Sequence, residues 1–162
     1  MYSLTHLHLL LNHVPIIVTV LGLLLVAVAT WRKSDALARV ALAFFVGGAL
    51  SALPTYLTGD SAEHTVLHMP GVTRAVIEAH SNAALISAIF VGALGVFALW
   101  SLWRFRSNAL LPAWVVRVAL AASIIGSGLM SWTGLLGGEV RHTEVRPGFV
   151  APPAPPGPPE PE

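Results

Sequence analysis

Cysteine is missing altogether from the 162 residues. Its absence excludes a disulfide framework, thiolate zinc sites, iron–sulfur ligation and cysteine catalysis. Histidine, carboxylate, methionine and tyrosine are the ligand types that remain. Charge is scarce as well: 10% of the residues are Asp, Glu, Lys or Arg, against about 25% in an ordinary soluble domain. So few charges cannot cover a soluble globule of this size. The net charge is +1, and no basic cluster suits nucleic acid. A serine triad and a phosphate-binding glycine loop are absent. In "EHTVLH" (63–68) the glutamate precedes the first histidine, the reverse of a metalloprotease HExxH. The opening "MYSLTHLHLL" has no positive n-region, and no small-residue cleavage site follows the first apolar run. That run is therefore expected to be retained.

What is abundant is apolar sequence. Hydrophobic residues make up 55% of the chain, with a mean hydropathy of +0.73. Four apolar stretches, near 8–31, 37–57, 79–103 and 113–136, each approach or exceed the 20 or so residues that cross a bilayer. They lack period-two alternation, so each predicts a helix, the second carrying Pro54 as an expected kink. Arg32, Lys33 and Arg39 lie between helices one and two, and Arg104, Arg106 and Arg117 between three and four. The positive-inside rule places those two loops in the cytoplasm. Both termini and the loop at 59–78 then lie outside, with seven of the eight acidic residues. The expected fold is all-α: an integral membrane four-helix up-down bundle, N-out and C-out, over residues 1–148. A proline-rich tail follows at 149–162, expected to be extended.

The bundle is internally repeated. "RVALAFFVGGALSALPTYLTGDSAEH" (39–64) and "RVALAASIIGSGLMSWTGLLGGEVRH" (117–142) match at ten of 26 positions without a gap. The matches include Thr55 with Thr133, Gly59 with Gly137 and His64 with His142. Two similar helical hairpins, related by a pseudo-twofold axis along the membrane normal, are expected.

The chain has seven histidines, and none lies in a predicted cytoplasmic loop. His13, His64, His80 and His142 each belong to the outer end of one helix. His13 is 18 residues from Trp31 and His80 is 20 from Trp100, which puts both about 27–30 Å from the inner interface. Two imidazoles at matched depth on helices one and three can hold an iron between them, as bundle cores hold haem. His13 and His80 are thus the leading axial pair, with His142 and His64 as a possible second pair. His6, His8 and His68 read as interfacial anchors. Arg141 and Arg146 are candidate counter-charges for haem propionates. Glu63, Glu78 and Glu144 crowd the same end, so a non-haem iron, copper or zinc site built from His13, His80, His142 and these glutamates is the alternative. Asn12 is placed to cap helix one or orient His13, and Pro15 to stand in its first turn.

The elements "LLLNHVPII", "TGDSAEH", "PGVTRAVIEAH" and "GGEVRHTEVR" resemble a group of bacterial four-helix membrane proteins near domain-of-unknown-function family 2231. The resemblance spans residues 5 to 148. It carries over at Asn12, His13 and Pro15, at Thr58, Gly59, Ala62 and Glu63, at Glu78 and His80, and at Gly137, Gly138, Arg141, His142 and Glu144. His64 departs from it, a glutamate being usual there. The resemblance implies haem-b membrane proteins of the bacterial inner membrane, some joined to redox modules. The expectation is a b-type cytochrome-like electron carrier whose haem lies near the periplasmic side. Its partners would be membrane lipid and a redox protein or larger membrane complex. A cofactor-free accessory subunit is the further alternative.

Overall fold

The computed structural model describes residues 3–107 and 110–151; the expected tail lies outside the described residues from 152 onward. No strand occurs among the described residues. The helices are α1 (Leu4–Leu11), α2 (Val14–Arg32), α3 (Asp35–Val66), α4 (Arg74–Arg104) and α5 (Ala113–Arg141), followed by a 3-10 turn at Thr143–Val145. Taking α1 and α2 together, four helical stretches are long and apolar enough to cross a membrane. The long helices pack as a ring in the order α2, α3, α4, α5 and back to α2, while α1 lies on α3. One end of the ring collects Lys33 and five of the eight arginines, and the other the histidines with Arg74, Arg141 and Arg146.

The first apolar run is not one helix. Pro15 has no N–H to give Leu11 and its ring crowds that carbonyl, so the helix breaks at Asn12–His13 and restarts with Pro15 in its first turn. The Thr55 hydroxyl takes up part of the deficit. It lies 2.8 Å from the Ser51 carbonyl and 3.4 Å from the freed Leu11 carbonyl. Asn12 does not act as the expected cap, and its side-chain oxygen is buried without a partner. The second helix is longer than its hydropathy suggested: α3 continues through Pro54 and ends at Val66, so His64 lies within it. A helix can outlast its apolar stretch wherever the polar residues beyond find their backbone bonds within it. The loop to α4 shrinks to 67–73, and α4 is capped by Thr73, which accepts from the Val76 N–H.

Small side chains let the helices approach. Ala41, Ala83, Ala98 and Ala119 are fully buried, the packing that apolar helices adopt when lipid supplies no hydrophobic drive between them. The Phe45 ring on α3 lies against the bare backbone of Gly22 on α2; a Cβ there would fall 2.5 Å from its Cε1. Gly95 on α4 meets Ala49 on α3 as closely. At the arginine end Phe97, Trp100, Phe105 and Trp114 form an aromatic cluster with centroids 5.9–6.2 Å apart. The outer surface stays oily, with Leu50, Leu57, Ile89, Val96 and Leu135 more than half exposed. Two cavities lie along the α2–α5 seam, one at each end.

Candidate functional site

The histidine end is built twice, once per hairpin. In the second hairpin the His80 Nδ1, on α4, lies 3.1 Å from the Thr133 carbonyl on α5. In the first, the His8 Nδ1, on α1, lies 2.9 Å from the Thr55 carbonyl on α3 and 3.4 Å from the Thr58 hydroxyl. Thr55 and Thr133 are the aligned threonines of the repeat. Each donates its own hydroxyl one turn back, Thr55 to Ser51 and Thr133 to Leu129, themselves an aligned pair. The glycines one turn on complete the match. A Cβ at Gly59 would meet His8 at 3.7 Å, and one at Gly137 would meet His80 at 2.9 Å. Only at Gly137 does the bare backbone give the ring its place; at Gly59 the contact would be an ordinary one.

These bonds determine the tautomer. A carbonyl oxygen only accepts, so each Nδ1 carries the hydrogen and donates it. In the neutral ring the lone pair then belongs to Nε2. A histidine oriented through Nδ1–H to a backbone carbonyl, with Nε2 free, is the usual posture of a metal-ligating imidazole. Both rings are half-buried. Thr55 and Thr133 each stand sixteen residues, about 24 Å, from the arginine that opens their repeat, Arg39 or Arg117. The two rings therefore share a depth near one edge of an apolar slab about 30 Å thick.

His8, read from sequence as an anchor, makes in the first hairpin the carbonyl bond that His80 makes in the second. His13 is exposed and lines a cavity of about 500 Å3 at the histidine end of the α2–α5 seam, with Gly134, Gly138 and His142. Counting residues along an unbroken helix put His13 at the depth of His80. That count runs along α2 and stops short of the interruption at Asn12–His13; beyond it α1 packs on α3, where His8 meets Thr55. The aligned Thr55 and Thr133 were the signal available in the sequence.

The other expected residues scatter. The His64 side chain is 75% exposed and lies 3.7 Å from Asp60. Glu78 is exposed on the turn before His80, and Glu63 sits on α3 away from that ring. His142 ends α5 and its Nδ1 donates to Glu144 at 2.8 Å. The Glu144 carboxyl is held below the usual range by its own backbone N–H and then by the His142 imidazole. Arg146 is no free counter-charge: its Nε and both terminal nitrogens donate to the carbonyls of Glu139, Gly71 and Val140. That guanidinium caps the end of α5 and ties down the 67–73 loop. Among the described residues no three histidine or carboxylate groups converge as an ion site would require.

Comparison with protein-family models, with curated proteins and with solved structures finds no match for this chain.

Proposed function

We propose that the chain is a multi-pass protein of a bacterial inner membrane, with both termini on the periplasmic side, and that it works as a small b-type cytochrome. The reading rests on one observation: two histidines fixed through Nδ1 to the carbonyls of two threonines that the repeat aligns, each with no Nε2 partner among the described residues. The donor set suits haem better than a bare ion. A haem brings four nitrogens of its own and needs two from the protein, whereas a bare ion needs three or more. His8 and His80 would hold the group, and a haem so held supplies one-electron transfer at a potential set by its two imidazoles and their surroundings. The chain's own part is to orient both rings through Thr55 and Thr133, to seat the His80 ring against Gly137, and to exclude water with the half-buried rings and the apolar helices. Exposed Arg141 is the cation left to balance propionate charge. The apolar exterior supports membrane embedding, and the arginines gathered at the opposite end support the orientation. Kinship with family 2231 is part of this proposal.

The test is a reduced-minus-oxidised spectrum of protein purified in mild detergent after expression with haem supplied. Split α bands and a sharp Soret shift are expected. They should vanish in His8→Ala and in His80→Ala and survive in His13→Ala. Wild-type protein without these bands, or with metal but no pyridine haemochrome, would refute the cytochrome and favour the non-haem or accessory alternatives.

A further inference from the structure

The repeat is broken at one chemically telling place. At the arginine end, Asp35 joins the start of α3 to the segment entering α5. One carboxylate oxygen accepts the Leu111 N–H at 2.5 Å and the other accepts Arg39 Nε at 2.6 Å. Carried back four residues in the same register, the repeat equates Arg39 with Arg117, Asp35 with Ala113 and Leu111 with Lys33. The pseudo-twofold thus maps the Asp35 carboxylate to a point flanked by Ala113, Arg117 and Lys33. No carboxylate stands there, because alanine has replaced it. Instead Ala113, Arg117 and Lys33 line a single cavity of about 450 Å3 at that end of the α2–α5 seam.

The cavity has an anion's electrostatics and a lipid's walls. Arg117 finds only the Ala113 carbonyl, at 3.3 Å from its Nε, and no ion pair to Lys33 or Arg117 forms among the described residues. Asp35 also borders the cavity, but both its oxygens are engaged with Arg39 and Leu111. The walls include Ala29, Ala38, Leu111 and Val116, joined by exposed Leu110. A soluble anion has no use for such walls, whereas an acyl chain does.

We infer that this cavity binds the phosphate head of an acidic phospholipid, which takes the place of the carboxylate missing at Ala113. Basic clefts between membrane helices on the cytoplasmic side hold such heads in general. The inference rests on the membrane reading but not on haem, and holds whether or not the histidine end carries a cofactor.

The purified full chain in detergent is titrated separately with dioleoyl phosphatidylglycerol, with dioleoyl phosphatidylcholine and with inorganic phosphate. Retained lipid is counted by native mass spectrometry and the thermal midpoint is recorded alongside. Phosphatidylglycerol should be retained and should raise the midpoint, while the other two should do neither. Lys33→Gln and Arg117→Gln should each weaken retention roughly fivefold. Ala113→Asp, at an exposed position, should restore the Asp35–Arg39 pattern on Arg117. It should abolish the response to phosphatidylglycerol while melting no lower than wild type. Equal responses to the two lipids, an equal response to phosphate alone, or an Ala113→Asp protein that still responds to phosphatidylglycerol would overturn the inference.

Discussion

Gly59 and Gly137 occupy the same position of the repeat, yet alanine should be accepted at one and rejected at the other. At Gly137 the new Cβ would lie 2.9 Å from His80 Cε1 and 3.3 Å from Nδ1. Real carbon contacts do not occur so short, and the ring is what must move. Moving it breaks the bond to the Thr133 carbonyl, a net loss of about 0.5–1.5 kcal/mol. Overpacking adds about 1–3 kcal/mol. Against these, alanine gains about 1 kcal/mol over glycine in a helix. Gly137→Ala should therefore lose roughly 1–3 kcal/mol. At Gly59 the Cβ would meet His8 at 3.7 Å, an ordinary contact, so the propensity gain stands unopposed. Gly59→Ala should be neutral or stabilising by up to about 1 kcal/mol. The assay is unfolding in mixed micelles with rising dodecyl sulfate, followed by far-ultraviolet circular dichroism. A double-mutant cycle localises the effect: in a His80→Ala background, Gly137→Ala should cost little or nothing. Equal behaviour of the two glycine variants, or a Gly137→Ala penalty unchanged without the His80 ring, would refute the reasoning.

Two further outcomes follow from the loops at this end. Arg146→Ala removes a charged donor from three carbonyls and should destabilise by about 1.5–3 kcal/mol, with faster amide exchange across residues 67–73 and at the end of α5. Glu144 binds its proton more weakly in the folded protein than its ordinary value of 4.5. Its contribution to stability is therefore complete above that value and fades as pH falls through the lower folded value. Glu144→Gln should flatten this acid limb by lowering the unfolding midpoint slightly near pH 7 while leaving the midpoint at acid pH unchanged.

The bundle was legible because the hydropathy of the chain leaves no other structure, and the four stretches recur as α1–α2, α3, α4 and α5. The ten matches of the repeat foretold which threonines and glycines would stand in equivalent places. What the one-dimensional pattern hid was the consequence of Pro15. A proline in the first turn was anticipated, but not that the preceding residues would form a separate short helix packed on α3, from which His8 reaches Thr55. His64 and His142 align in sequence, but His64 lies inside a helix that continues past it and His142 ends one, and their rings find different surroundings. Arg146 was misread because its carbonyl partners come from two distant segments that no spacing rule connects.

The α2–α5 seam carries a consequence for how the protein is made. Of the four contacts around the ring, three join helices consecutive in the chain and form as each emerges. The fourth joins the first long helix synthesised to the last, and it cannot close until α5 has been made. Both cavities lie on this late joint. Ligands at either end would therefore act as fasteners during assembly, holding shut the one seam that no connecting loop spans.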